Sequence, residues 1–143
     1  MDICIDFDGT CVTHEFPKVG KDIGAAPVLR ELVEHGHRLI LFTMRSNCTN
    51  NTVGSACIPQ VHNGPFLDDA VNWFKANDIP LYGINKNPDQ LAWTTSPKAY
   101  GQLYIDDASL FCPLRFDREI SERPFADWQE IRKQLLKTGL IKE

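Results

Sequence analysis

The chain has 143 residues, 43% of them hydrophobic, and a formal net charge of −4. This length predicts one domain that is large enough to bury a core. The mildly acidic balance argues against a broad basic surface for nucleic acid, and no apolar run approaches the length of a membrane span.

The amino terminus and the cysteines both favour a cytoplasmic protein. The sequence begins Met-Asp and runs directly into an apolar stretch, so we expect no signal peptide. Its five cysteines are scattered, without a Cys-x-x-Cys pair, and we expect them to be reduced thiols.

The first predicted element ends in two acids. The run Ile-Cys-Ile at residues 3–5 is typical of a strand buried on both faces, and Asp-Phe-Asp-Gly-Thr follows at residues 6–10. In an extended chain Asp6 and Asp8 share a face, and Gly9 permits a sharp turn. Two like charges about 4 Å apart repel by roughly 4 kcal/mol at an effective dielectric of about 20, so this pair needs a shared proton or a cation. The alternative is a strand closed by a simple Asp-Gly turn.

The next elements complete a βαβ unit. Apolar spacing predicts a helix over about residues 25–35, with Gly36 after it, and a buried strand over residues 38–43 that ends in Thr43. This order predicts a parallel sheet with a right-handed crossover.

The remaining elements are predicted from the same signals. Residues 48–63, rich in Asn, Thr, Gly and Ser, form an insert, and a helix from Gly64-Pro65 to about residue 77 follows it. The rest of the chain is predicted as a short strand over 79–84, a loop over 85–93, a short helical turn over 96–101, a strand over 103–107 and a last amphipathic helix over about 125–137.

Polar groups follow three of the predicted strands. They are Asp6 and Asp8 after the first, Thr43 at the end of the second, and Asp106 and Asp107 at the end of the last. Ligands of open parallel sheets bind at the carboxyl ends of the strands. A divalent cation is the simplest way to offset the repulsion of several carboxylates gathered there, and oxygen-only ligands favour Mg²⁺ over zinc.

These residues resemble the motifs of the haloacid dehalogenase superfamily in its phosphatase form. Asp6 to Thr10 resembles the first motif, Phe42-Thr43 the second, and Tyr104 to Asp107 the fourth, in the family's order. The resemblance implies a single domain over residues 1–143. It also implies an α/β fold, a Rossmann-like three-layer α/β/α sandwich with a central, mainly parallel sheet in which the first strand is central.

The resemblance also implies roles for the acids. Asp6 would be the nucleophile that forms an aspartyl-phosphate and a ligand of Mg²⁺. Asp8 would protonate the leaving alcohol, then activate water, and its main-chain carbonyl would bind the metal. Asp106 would be the main further ligand, with Asp107 binding directly or through water. Thr43 would hold phosphate, and Thr10 would brace the loop.

The positively charged partner of the phosphate has two candidates. The resemblance favours Lys98, a short turn before the last strand, over Lys86, just past the third strand. Arg45 could grip phosphate or could be a surface residue of the loop. His14 could touch substrate. A zinc site on Cys48, Cys57 and His62 is disfavoured, because the spacing matches no compact zinc pattern and a fourth ligand is missing.

Only the insert at about residues 48–63 interrupts the chain, so we expect no full cap domain and an open site. The resulting prediction is a Mg²⁺-dependent phosphatase that hydrolyses a phosphomonoester of unspecified identity. The alternatives are a metal- and phosphate-binding module without catalysis, and a nucleic-acid 3′-phosphatase or phosphotransferase. Nucleic acid is an unfavoured partner, no membrane partner is expected, and the oligomeric state is not predicted.

Overall fold

A parallel sheet of four strands forms the centre of the protein. The structure, a computed structural model, describes residues 1–48 and 63–143. The strands of the sheet are β1 (Asp2–Ile5), β2 (Arg38–Leu41), β5 (Leu81–Ile84) and β6 (Leu103–Ile105), in the order β5-β2-β1-β6. All three pairings are parallel, so the carboxyl ends of the strands lie along one edge. The predicted α/β fold with a central parallel sheet is therefore confirmed, and β1 lies inside the sheet.

Three α-helices pack on one face of this sheet. They are α1 (Ala25–Glu34), α2 (Phe66–Ala76) and α3 (Trp128–Lys137). Each contributes buried side chains to one apolar cluster with Ile3, Ile5, Leu39 and Leu41 of the two inner strands. β1 and β2 are buried on both faces and, after Asp2 and Arg38 at their starts, consist of apolar residues only, as expected for inner parallel strands.

The other face of the sheet carries a smaller cluster. Cys4, Ile40 and Ala99 are buried there, with Phe42, Tyr82 and Tyr104 packed against them. Ala99 belongs to the segment between β5 and β6, which contains one turn of 3-10 helix, η1 (Gln90–Ala92). The third layer is thus an irregular segment with this single turn. The helical turn predicted over 96–101 is wrong, because the turn forms six residues earlier.

The last part of the chain differs from its prediction at one boundary. A short antiparallel ladder joins β7 (Leu114–Arg115) to β8 (Phe125–Ala126), so α3 begins at Trp128 rather than at residue 125. The side chain of Asp127 caps this helix by accepting hydrogen bonds from the backbone N–H groups of Gln129 and Glu130.

The predicted insert lies mostly outside the described residues, as do Cys57 and His62 of the disfavoured zinc alternative. The residues that flank the insert lie side by side, since β3 (Asn47–Cys48) pairs antiparallel with β4 (Gly64–Pro65). Cys48 is disulfide-bonded, whereas Cys4, Cys11 and Cys112 are free. The prediction that all cysteines are reduced is therefore wrong for Cys48. Across residues 1–48 and 63–143, no helix combines the length and apolar character needed to cross a membrane.

Candidate active site

The loop that follows β1 turns tightly at Gly9. The N–H of Asp6 donates to the carbonyl of Ile105 at 3.0 Å, which continues the β1–β6 pairing by one residue. Gly9 then adopts a left-handed φ of +81°, and a Cβ there would collide with the ring of His14 and the carboxylate of Asp107. A side chain at this position is excluded both by backbone conformation and by space.

Thr10 joins the ends of β1 and β6. Its fully buried hydroxyl lies 2.9 Å from Oδ2 of Asp6 and 3.1 Å from Oδ1 of Asp107, and it accepts the backbone N–H of Asp107 at 2.9 Å. The indole Nε1 of Trp128 donates to the carbonyl of Thr10 at 2.6 Å. Thr10 therefore has the bracing position that the resemblance implied, and α3 holds it in place.

Three carboxylates converge at this edge of the sheet. Asp6, Asp106 and Asp107 each offer an oxygen, and these atoms all lie within 4.8 Å of one another. Burial, together with the negative charge of Asp106, raises the pKa of the Asp6 carboxyl to about 8. A cluster of oxygen donors whose charges repel one another fits a hard divalent cation such as Mg²⁺. These three acids are the residues that could hold it.

His14 contacts the same cluster. Its Nε2 lies 2.9 Å from Oδ2 of Asp107, and both side chains are mostly buried. Asp107 is thus held from two sides, by Thr10 on one oxygen and by His14 on the other. Sequence reasoning considered a contact of His14 with substrate, whereas the structure shows a contact with a candidate metal ligand.

Asp8 lies in a different environment from Asp6. Arg45 binds it in a bidentate pair, with Nε donating to Oδ2 at 2.7 Å and Nη2 to Oδ1 at 2.8 Å. The strand ends at Ile5, so the extended-chain alternation on which the expectation for Asp6 and Asp8 rested does not reach these residues. The side chain of Asp8 does not join the carboxylate cluster among the described residues, so the predicted metal role rests on its main-chain carbonyl alone and stays a prediction.

Arg45 is buried rather than open to a phosphate. Only 1% of its side chain is exposed, and beyond Asp8 it donates to the carbonyls of Lys18 at 2.8 Å and Phe66 at 3.1 Å. The structure thus places Arg45 as the partner of Asp8 and as a link between the loop after β1 and the start of α2. It does not place Arg45 as a phosphate ligand.

Thr43 lies two residues beyond β2, at the carboxyl edge of the sheet. Its N–H donates to Oδ1 of Asn85 at 2.7 Å, and its hydroxyl accepts the N–H of Arg45 at 3.1 Å. This arrangement fixes the backbone while the hydroxyl proton remains available for a phosphate oxygen. Asn85, which adopts a left-handed φ of 55°, was not predicted as a site residue, although Asn directly after a strand is a signal for that conformation.

Lys98 shares a cleft with the acids. The cleft, of about 550 Å³, is lined by Asp6, Asp106, Lys98 and Ser109 and by the apolar walls of Cys4, Phe42, Tyr104 and Ile105. The Nζ of Lys98 lies 5.4 Å from the centroid of the Tyr104 ring. Neither Lys86 nor Thr43 is among these lining residues, and the role of Lys98 as the charge-balancing lysine stays a prediction.

A buried glutamine holds the segment that carries Lys98. Nε2 of Gln90 donates to the carbonyls of Ser96 and Lys98, and Oε1 accepts the N–H of Asn87 and of Tyr100. These four bonds organise a segment that has little regular secondary structure. Sequence reasoning missed Gln90, because no local pattern marks a polar side chain whose partners are loop backbone groups.

The comparisons with known proteins bear on the fold. No family model matches the chain, and no curated protein matches it. A solved structure, described as that of a conserved protein from Bacteroides thetaiotaomicron, is similar to it with 28% identity and a TM-score of 0.68. The similarity covers 96% of this chain and 91% of that one, so the two share the whole fold.

Proposed function

We propose that this protein is a Mg²⁺-dependent phosphatase of the haloacid dehalogenase type that hydrolyses phosphomonoesters. The observation that carries the proposal is the convergence of Asp6, Asp106 and Asp107, whose ligand atoms lie within 4.8 Å of one another. Lys98 lines the same cleft, so the site combines a nucleophile, a set of oxygen donors and a cation for the phosphate.

In this proposal Asp6 is the nucleophile. One of its oxygens attacks phosphorus, the bond from phosphorus to the leaving oxygen breaks, and an aspartyl-phosphate forms. Water then attacks phosphorus, which releases inorganic phosphate and restores the carboxylate. Mg²⁺, when bound, supplies positive charge beside the phosphate and favours the ionised form of Asp6. Lys98 and the hydroxyl of Thr43 bind the remaining phosphate oxygens.

Asp8 is the proposed proton donor and base, and its pairing with Arg45 places a condition on that role. Both oxygens of Asp8 accept N–H groups of Arg45. To protonate the leaving oxygen, one Asp8 oxygen must exchange an N–H of Arg45 for the substrate. The same exchange orients Asp8 toward the attacking water in the second step.

This pairing also favours a second candidate function. Both oxygens of Asp8 are engaged by the guanidinium of Arg45, and Asp8 is not among the residues that line the cleft with Asp6 and Lys98. A protein that binds Mg²⁺ and phosphate without efficient turnover would need the three clustered acids and Lys98 but not Asp8. Metal binding without turnover would identify this case.

A panel of phosphate esters, assayed for released phosphate with added Mg²⁺ and again with EDTA, tests the proposal. We expect Mg²⁺-dependent release that Asp6→Asn abolishes. Asp78→Asn is the matched control, because Asp78 is exposed beyond α2 and its left-handed φ of 55° suits asparagine. Full activity in Asp6→Asn, or no release from any ester by the unaltered protein, would overturn the proposal.

A further inference from the structure

A second cavity adjoins the candidate active site at the carboxyl end of β6. This apolar groove, of about 170 Å³, lies between residues 109–113 and α3. It shares Tyr104, Ile105, Asp106 and Ser109 with the cleft that contains Asp6. The groove lies on the α3 side of β6 and the cleft on its other side, and both linings include Asp106 and Ser109 just beyond the carboxyl end of that strand. A molecule whose phosphate lies at Asp6 would reach the groove around this end of β6.

Apolar side chains form the larger part of the surface along this path. The hydroxyl of Tyr104 donates to the carbonyl of Ala99 at 2.7 Å and accepts the N–H of Gly101 at 3.2 Å, so this residue presents its ring and not its hydroxyl. The ring of Phe42 lies 6.1 Å from it.

The outer rim of the groove is formed by Leu110 and Phe111. They are 83% and 88% exposed, which is unusual for two consecutive large apolar residues. Phe111 also adopts a left-handed φ of 68°, a conformation that is strained for a bulky side chain. Exposed apolar groups and a strained backbone beside a candidate catalytic cleft are features of ligand-binding positions.

The charges of the two cavities argue against a polyanionic substrate. Lys98 is the sole basic residue among the described residues that line either cavity, whereas Asp6 and Asp106 are acidic. One lysine can balance one phosphate group together with the metal. A nucleic-acid chain would bring further phosphates that find no positive partner along this path.

We propose that the substrate is the phosphomonoester of a small apolar alcohol, aromatic or branched aliphatic, and that this alcohol occupies the apolar groove. The inference rests on the proposed function, since it places the phosphate at Asp6. Tyr104 contacts the alcohol next to the phosphate, and Leu110 and Phe111 contact its far end. Here these side chains select the substrate, a task that a cap domain performs in larger enzymes.

Two esters with the same alkyl spacer test this selection. 3-Phenylpropyl phosphate and 3-hydroxypropyl phosphate have leaving groups of similar acidity but differ in apolar area. We expect kcat/KM to be at least about tenfold higher for the phenyl ester, the scale on which apolar pockets discriminate. Leu110→Ser and Phe111→Ser should bring the ratio of the two values toward one, mainly through KM. Leu91→Ser, at a residue that is 61% exposed on η1, should keep the ratio.

Separate outcomes identify failure of the inference and failure of the proposed function. Hydrolysis of both esters with equal kcat/KM would overturn the inference alone. If neither these two esters nor any ester of the panel is hydrolysed, the proposed function fails, and calorimetric binding of 3-phenylpropylphosphonate against 3-hydroxypropylphosphonate in Mg²⁺ still decides the selection. Sedimentation of the same variants completes the test. If Leu110→Ser and Phe111→Ser dissociate a dimer and leave the ratio unchanged, the groove binds a second copy and the inference is overturned.

Discussion

Asp6 and Asp8 are two positions apart in the chain but differ in their electrostatic surroundings. Asp6 is buried beside Asp106, which makes its ionisation costly, and the cost is removed by a proton or a cation. Asp8 is neutralised by the guanidinium of Arg45. The proposed role of Asp6 as nucleophile depends on the metal, whereas that of Asp8 as acid depends on Arg45. The two roles can therefore be tested by separate experiments.

Asp8→Asn tests the acid role. Asparagine keeps the shape of the side chain but cannot donate a proton to the leaving oxygen or accept one from water. With an alkyl phosphate, whose leaving group is poor, we expect kcat to fall by about 10²- to 10⁴-fold, the usual contribution of a positioned general acid. Steady-state kinetics measure this loss. A loss below about tenfold on such a substrate would contradict the role.

The raised pKa of Asp6 predicts how the stability of the metal-free protein depends on pH. The folded pKa, about 8, lies above the ordinary aspartate pKa of 3.8, so the native state binds the proton more tightly than the unfolded state. This group's contribution to the free energy of unfolding therefore falls as pH rises between these values, by up to about 1.4 kcal/mol per pH unit. Asp6→Asn removes this contribution.

Urea unfolding in EDTA at pH 6 and pH 9 measures the contribution of Asp6 to the free energy of unfolding. We expect the unaltered protein to lose more stability than Asp6→Asn between these two conditions, and Asp78→Asn to behave as the unaltered protein does. Equal changes in all three proteins would show that Asp6 does not carry a raised pKa.

At the scale of elements, Arg45 joins two parts of the loop after β1 to the start of α2. Its guanidinium binds the carboxylate of Asp8 on the loop after β1, the carbonyl of Lys18 further along that loop, and the carbonyl of Phe66 at the start of α2. The base of the insert, where β3 pairs with β4, lies directly after Arg45 in the chain. One side chain thus anchors the surroundings of the site.

Arg45→Met should therefore destabilise the fold. It leaves the largely buried Asp8 without its counter-ion, and breaking a buried pair costs about 3 kcal/mol or more in the free energy of unfolding. Urea denaturation measures the loss, with the exposed Arg118→Met as control. Adding Asp8→Asn to Arg45→Met should recover part of the loss, because no unpaired charge remains. A loss equal to that of Arg118→Met would contradict the anchoring role.

The elements with strong local patterns were predictable from the sequence, and those fixed by distant contacts were not. The apolar runs of β1 and β2 and the amphipathic faces of α1 and α2 determine these elements locally. In contrast, α3 begins late because Phe125–Ala126 pairs with β7, and the segment after β5 is organised by Gln90. Such contacts leave no periodic signal.

The candidate site shows the same division. The clustering of Asp6 with Asp106 and Asp107 was predicted, because polar residues after parallel strands must meet at one edge of the sheet. The partner of Asp8 was not predicted, because Arg45 is 37 residues away and its direction depends on the packing of two loops. The topology of the sheet determines where residues at the strand ends lie. Side-chain pairs within loops depend instead on how those loops pack against each other.

For the molecule as a whole, the candidate site exists only in the folded state. Thr10 and Asp107 are 97 residues apart in the chain, and Thr10 and Trp128 are 118 apart. The unfolded chain cannot bring such groups together without a large loss of conformational entropy. A cation that binds the three acids therefore binds the native state selectively and must stabilise it.

Thermal unfolding with and without Mg²⁺ measures this coupling. At a Mg²⁺ concentration of about 100 times Kd, the native state gains about 2.7 kcal/mol, which raises Tm by several degrees. The gain should be smaller at pH 6 than at pH 9, because at pH 6 the proton on Asp6 competes with the metal. Asp106→Asn should lose most of the gain, while Asp78→Asn should keep it. An equal rise in Tm with KCl at matched ionic strength would attribute the effect to screening, and the carboxylate cluster would then not be a metal site.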